Sequence, residues 1–165
     1  MSSRTVVCPG SYDPVTYGHL DIIRRAASIF DKVVVGVANN PVRKTGTLFS
    51  GEERQAFIAD ATSDLDNVQV EVFAELLVEF ARRHDAAAVV KGLRAISDFE
   101  YEFEMAQLNR LLASEIESVY IIASPNYSFL SSTGVKEMAT FGGDVSELVP
   151  PKVAAALAER LKERG

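Results

Sequence analysis

The feature that most constrains this chain is a repeated alternation, in which short runs of β-branched and other apolar residues are followed by helical patterns of roughly ten residues. Thr5 to Cys8 is the first such run, and Pro9-Gly10 after it reads as a turn. Val33 to Val37, Val68 to Phe73, Ala87 to Val90 and Val119 to Ala123 repeat the pattern. Between the first two runs, Leu20, Ile23, Ala26, Ala27 and Phe30 recur at helical spacing. Ser50 and Glu53 have capping-box spacing ahead of a helix to about Ala61. Leu76 to Arg83 predicts a short helix, and Ser97 with Glu100 predicts the start of a long one reaching about Leu112. Ser131 or Ser132 opens a helix that stops at Gly142-Gly143, and Pro150-Pro151 begins a final amphipathic helix.

Strands that alternate with helices pair in parallel, because a parallel neighbour needs a crossover connection. The chain is therefore expected to be α/β, a single Rossmann-like doubly wound domain with a five-stranded parallel sheet and helices on both faces. Its 165 residues, 47% of them hydrophobic, suit one domain with a core between about residues 5 and 161. No internal repeat, linker or low-complexity segment interrupts it. In such sheets ligands bind beyond the carboxyl ends of the strands, where the strand order reverses.

Charge and cysteine usage exclude several function classes. Seventeen Lys and Arg against 23 Asp and Glu give a net charge of −6, which disfavours a protein that grips a nucleic-acid backbone over a wide face. Small anionic ligands stay open, since a few placed cations can hold a phosphate in an acidic protein. Cys8 is the only cysteine, so neither an intrachain disulfide nor a cysteine-based zinc site can form. With His19 and His84 as the only histidines, no transition-metal cluster is expected. No apolar run approaches the ~20 residues that span a bilayer, and the first one ends too early for a signal sequence. A soluble, cytoplasmic protein is expected.

Candidate functional residues fall at the predicted strand ends. Between the first strand and helix lie Gly10 and Gly18, hydroxyls at Ser11 and Thr16, and His19 at a helix start. This is neither a Walker loop nor a Gly-x-Gly-x-x-Gly turn. A helix N-terminus attracts phosphate through its free amides and dipole, and an imidazole there can donate to a phosphate oxygen. In isolation His19 would read as a cap or a packing residue. Arg43 and Lys44 follow the second strand and, by themselves, read as solvated surface. Lys91-Gly92-Leu93-Arg94 follows the fourth strand, where two cations can face phosphate or solvent. Glu100, Glu102 and Glu104 match the dipole of the helix they open. Ser131-Ser132-Thr133 is either a phosphate cradle or a well-capped helix start. His84, behind Arg82-Arg83 at a helix end, reads as a surface residue favoured by the helix dipole.

Two of these elements together carry a resemblance. A Thr-x-Gly-His turn after strand one and Ser-Ser-Thr-x-x-Lys after strand five resemble the paired signatures of the nucleotidyltransferase superfamily. Pro9-Gly10-Ser11-Tyr12-Asp13-Pro14, Lys91 to Arg94, Asp98 to Glu102, Met105 to Arg110 and Gly143-Asp144-Val145 are similar to the bacterial phosphopantetheine adenylyltransferase family, from about Val6 to Leu161. The resemblance implies transfer of AMP from ATP to 4′-phosphopantetheine, giving dephospho-CoA and pyrophosphate. It implies catalytic roles for His19, Lys44 and Lys91. It further implies ATP contacts from Ser11, Tyr12, His19, Gly92, Leu93, Arg94, Glu102, Tyr127, Ser128, Phe129, Leu130, Ser131, Ser132 and Thr133. The acceptor would be held by Ser11, Arg43 or Lys44, Leu77 and Lys91. Magnesium (Mg2+) would be carried mainly on the ATP phosphates, with no dedicated protein site. A homohexamer, with CoA as a feedback ligand, is also implied. Three positions depart from the family pattern. The Pro41 to Phe49 loop is two residues longer, Ser11 stands where many members have Thr, and Thr133 where many have Ser.

Overall fold

The structure is a computed structural model that describes residues 3–40 and 46–165. Strands β1 (Thr5–Gly10), β2 (Lys32–Ala38), β3 (Val68–Phe73), β4 (Ala88–Leu93) and β5 (Glu117–Ile122) form one parallel sheet in the order β3-β2-β1-β4-β5. The connections run through α1 (Tyr17–Ile29), α2 (Gly51–Ala61), α3 (Leu77–Arg83) and α4 (Ile96–Leu112). After β5 come a 3₁₀ turn (Pro125–Tyr127), α5 (Ser132–Thr140) and α6 (Pro151–Arg164). The expected Rossmann-like α/β architecture is thus present.

Strand alternation divides the core in two. Val6 and Cys8 of β1, Val33, Val35 and Val37 of β2, and Ala88 and Val90 of β4 face one layer, with Leu20 and Ile23 of α1, Ile58 of α2, Val135 of α5 and Leu157 of α6. Val7, Val34 and Val89 point the other way, onto Phe80 and Ala81 of α3 and Ala113 and Ile116 beyond α4. Each of these strands is buried on both faces, which is why their residues read as continuous apolar runs.

Several boundaries differ from the sequence pattern for identifiable reasons. β1 continues through Pro9-Gly10, where a turn was expected, because both residues still lie in register with Gly36 and Val37 of β2. Pairing of β1 with β4 covers only Val6↔Ala88 and Val7↔Val89. Pro9, with no N–H for a ladder, thus lies past the point where β1 and β4 part. Helix α1 begins at Tyr17, earlier than its apolar periodicity suggests, since Thr16 and His19 form a capping box. Helix α4 begins at Ile96 behind Ala95 with no side-chain cap, so the Ser97–Glu100 spacing falls inside the first turn. The Ser50–Glu53 box is present as expected.

The chain passes from β1 to β2 and β3 on one side, then returns to β4 and β5 on the other. The reversal, and the separation of β1 from β4 at their carboxyl ends, leaves a crevice over the middle of the sheet.

Candidate active site

A cleft of about 410 Å³ occupies that crevice. Cys8, Pro9 and Gly10 form its base from β1, with Lys91 and Gly92 from β4 and Ala123 beyond β5. Tyr12, Thr16, Gly18 and His19 line it from the β1–α1 turn, Arg94, Asp98 and Glu102 from β4 and α4, and Tyr127, Leu130, Ser131, Ser132 and Thr133 from the approach to α5. Gly92 is small because of α1 as well as the cleft, since a Cβ there would come within 2.9 Å of Ile22.

The Thr16–His19 capping box sets the chemistry of the imidazole. The His19 amide donates to Thr16 Oγ1 at 3.3 Å, and the Thr16 amide donates to His19 Nδ1 at 3.0 Å. An amide can donate only to an unprotonated ring nitrogen, so neutral His19 carries its proton on Nε2. Burial lowers the imidazole pKa to about 4, helped by the nearby Arg94 charge. At neutral pH His19 is therefore a neutral Nε2–H donor. The Tyr12 ring stands edge-on to it at 5.0 Å, and the Tyr12 hydroxyl donates to the Cys8 carbonyl at 2.9 Å. Tyr12 holds φ at 50°, an uncommon conformation for a residue with a side chain. Burial raises the Cys8 thiol to about 11, so it stays protonated and is no nucleophile.

Across the cleft, Arg94 Nε donates to Asp98 at 3.2 Å and its Nη1 to the Leu130 carbonyl at 2.7 Å, tying the β4 end to the segment before α5. Lys91 Nζ lies 3.0 Å from Glu102 Oε2, with both side chains largely buried. That oxygen is buried and has no aligned hydrogen-bond partner among the described residues. Ser131 caps α5 by accepting from the Gly134 amide at 3.0 Å. The Ser132 hydroxyl donates to the Pro14 carbonyl at 2.8 Å, joining α5 to the β1–α1 turn. As the first residues of α5, Ser132 and Thr133 present amides without an intrahelical acceptor toward the cleft.

Of the candidates from sequence, the cleft gathers Tyr12, His19, Lys91, Gly92, Arg94, Glu102, Tyr127, Leu130, Ser131, Ser132 and Thr133. Ser11, Leu93, Ser128 and Phe129 do not line it, and Ser11 and Phe129 are exposed. Leu77 packs against the Phe73–Phe80 core. Arg43 and Lys44 lie outside the described residues. His84, expected on the surface, instead ends α3 with its side chain largely buried, Nε2 lying 2.9 Å from Glu71 and the ring edge-on to Phe80.

Two supporting residues escaped the sequence reading. The Asp13 carboxylate is buried and accepts from the Leu48 and Phe49 amides at 2.8 and 2.9 Å and from Lys136 Nζ at 3.3 Å. Arg54, fully buried, donates to the carbonyls of Ser11, Ala38, Phe49 and Ser50. The Asp-Pro pair was visible within its motif, but nothing in the helical pattern of α2 marked Arg54.

Comparison with known proteins gives the chain its lineage. Residues 7–138 match the family described as cytidylyltransferase-like. A Streptomyces coelicolor phosphopantetheine adenylyltransferase is 54% identical over 161 residues, covering 98% of this chain and 99% of that one. The chain belongs to the phosphopantetheine adenylyltransferase family. Family members named in the same way from Moorella thermoacetica and Caldanaerobacter subterraneus subsp. tengcongensis are 52% and 49% identical, over 95% and 97% of this chain and 97% and 99% of theirs. Among solved structures, a Vibrio parahaemolyticus protein described as a nicotinate-nucleotide adenylyltransferase superposes with a TM-score of 0.63. At 16% identity, covering 94% of this chain and 99% of that one, the likeness is one of fold alone.

Proposed function

We infer that this chain transfers the adenylyl group of ATP to 4′-phosphopantetheine, forming dephospho-CoA and pyrophosphate, as a step of coenzyme A synthesis. What carries this reading is the family membership taken together with a neutral Nε2–H donor at the head of α1, in a cleft of about 410 Å³ at the sheet's switch point. An acceptor phosphate oxygen attacks the α-phosphorus in line, the bond to the β-phosphate oxygen breaks, and pyrophosphate leaves without a covalent enzyme intermediate. The acceptor phosphate is already a competent nucleophile, so the site needs alignment and charge stabilisation, and no thiolate or strong base. His19 Nε2–H serves the charge that builds on the α-phosphate.

Arg94 and the Ser131–Thr133 helix start are suited to the triphosphate, and Glu102, Tyr127 and Leu130 to the nucleoside. Lys91 is assigned to the acceptor phosphate by family likeness. Tyr12, Gly92, Leu93, Ser128 and Phe129 are assigned to ATP, and Ser11 to both substrates. Arg43, Lys44 and Leu77 are assigned to the acceptor by family likeness. Among the described residues no group of three or more His, Cys, Asp or Glu side chains could hold a metal ion, and Asp98 and Glu102 are both ion-paired. Magnesium is assigned to the ATP phosphates, as the family likeness implies. A homohexamer is supported by the apolar side chains that α4 exposes on the single chain, among them Phe99, Phe103, Leu111 and Leu112. CoA, which contains the product's framework, is assigned as a feedback ligand of the same cleft.

The test is a pyrophosphate-release assay with ATP and 4′-phosphopantetheine, run beside ATP with nicotinamide mononucleotide and CTP with glycerol 3-phosphate. Release with the first pair alone is the expected result. Release with only one of the other pairs would sink the acceptor assignment.

A further inference from the structure

Ser124 sits at the N-cap of the 3₁₀ turn but makes no side-chain cap bond. Its hydroxyl instead donates to Asp21 Oδ2 at 2.7 Å, a contact between positions 103 residues apart. One helical turn on, Arg25 Nη1 donates to the same Asp21 oxygen at 3.2 Å and to the Ile122 carbonyl at 2.8 Å, with Ser124 Oγ at 3.5 Å. Asp21 and Arg25 thus hold Ile122, the last residue of β5, and Ser124, the second residue beyond the strand, from one face of α1. The same helix presents His19 to the cleft two residues before Asp21.

The clamped segment itself has little regular structure. After Ser124 the backbone bonds among the described residues are short-range turns, the Tyr127 amide donating to the Ser124 carbonyl at 2.9 Å and the Leu130 amide to the Tyr127 carbonyl at 3.1 Å. Its far end is tied by Arg94 to the Leu130 carbonyl. Tyr127 and Leu130, the side chains it delivers to the cleft, stand opposite the β1–α1 turn. We propose that Asp21, Arg25 and Ser124 form a clamp of positioning residues, fixing the Tyr127–Leu130 wall relative to His19 and so setting affinity for the nucleotide.

The proposal rests on the assignment of that wall to ATP. None of the three side chains lines the cleft, so their influence runs through the segment they hold. Asp21 is the hub, since both other members share its Oδ2. Removing the Ser124 hydroxyl releases its tie to Asp21 and leaves the Arg25 bond to the Ile122 carbonyl, while α1 and its capping box keep their own bonds. Loss of nucleotide affinity with little change in acceptor affinity is the signature expected of such a release.

The experiment uses the full chain and the variants Ser124→Ala, Ser124→Thr and Asp21→Asn. Calorimetry gives the ATP Kd, steady-state pyrophosphate release gives KM for each substrate, and thermal melting reports folding. Ser124→Ala is expected to raise the ATP Kd and KM about tenfold, equivalent to about 1.4 kcal/mol. KM for 4′-phosphopantetheine should stay within about twofold, and Tm within a few degrees. Threonine, which keeps the hydroxyl, should restore ATP affinity, and Asp21→Asn should weaken ATP binding at least as much as Ser124→Ala. An unchanged ATP Kd in Ser124→Ala, or equal losses for both substrates, overturns the clamp. Failure of the transferase reading looks different, since wild-type protein would then release no pyrophosphate with 4′-phosphopantetheine while the Kd comparison still scores the clamp. Wild-type protein that bound no ATP would overturn both.

Discussion

At His19, the hydrogen bond that closes the first turn of α1 also selects the ring tautomer. A Glu at the same cap position would satisfy the Thr16 amide equally well but, as an ionised carboxylate, would present no N–H to the cleft. Long-range ¹⁵N NMR should find the Nε2–H tautomer at pH 7 and no titration of His19 between pH 5.5 and 8, because burial holds its pKa near 4. A titration near the ordinary 6.5 would contradict this. In stability the sign follows from the depressed value. As pH falls below 6.5 the unfolded chain takes up the proton first, so the contribution of neutral His19 is complete above 6.5 and is lost progressively toward pH 4. Urea unfolding at pH 7.5 and pH 5 should therefore show a smaller acid loss in His19→Gln than in wild type. For catalysis, His19→Ala should lower kcat by about two to three orders of magnitude while largely sparing the ATP Kd, as removal of a transition-state donor does. Near-normal turnover would remove His19 from its assigned role.

Among the elements, Asp13 shows how the β1–α1 turn, the end of the loop after β2 and α5 are made one unit. Replacing Asp13 with Ala leaves the Leu48 and Phe49 amides without an acceptor, each costing about 1–3 kcal/mol. A loss of about 3 kcal/mol in urea unfolding is expected. Lys136→Met removes only a longer contact from a side chain 34% exposed, and should cost under about 1 kcal/mol. Equal losses in the two variants would mean that the ion pair, not the amides, dominates. This joint also marks what could be seen in the sequence. The Ser50–Glu53 box and the α5 cap were legible because donor and acceptor lie three residues apart. The strand pattern was legible because burial on both faces leaves continuous apolar runs. Arg54 was not, since its bond to the Ser11 carbonyl spans 43 residues and appears only once β1 and β2 lie side by side. The Asp21–Ser124 contact was hidden for the same reason. The start of α4 was misplaced because capping spacing recurs by chance wherever Ser precedes Glu, and here Ala95 takes the cap without a side-chain bond.

For the whole molecule, α4 poses a packing problem that a single chain does not solve. Leu111 is 84% exposed and Phe99, Tyr101, Phe103, Leu108 and Leu112 are all exposed, on a helix whose other residues include Asp98 and Glu102 of the cleft. A helix apolar around much of its circumference is stable in water when something covers it, and contiguous exposed patches of this kind mark interaction surfaces. In the inferred homohexamer another copy supplies that cover. Leu111→Asp separates assembly from folding, because a substitution at so exposed a position changes the stability of the isolated chain by only about 0.5 kcal/mol. At micromolar concentration the variant should sediment as smaller species than wild type and still melt cooperatively. Its activity should fall as well, since α4 carries the carboxylates that pair with Lys91 and Arg94, and an uncovered α4 holds them less firmly. Wild-type protein that sediments as a monomer at the same concentration would leave the exposed face to a different partner and remove the hexamer from the account.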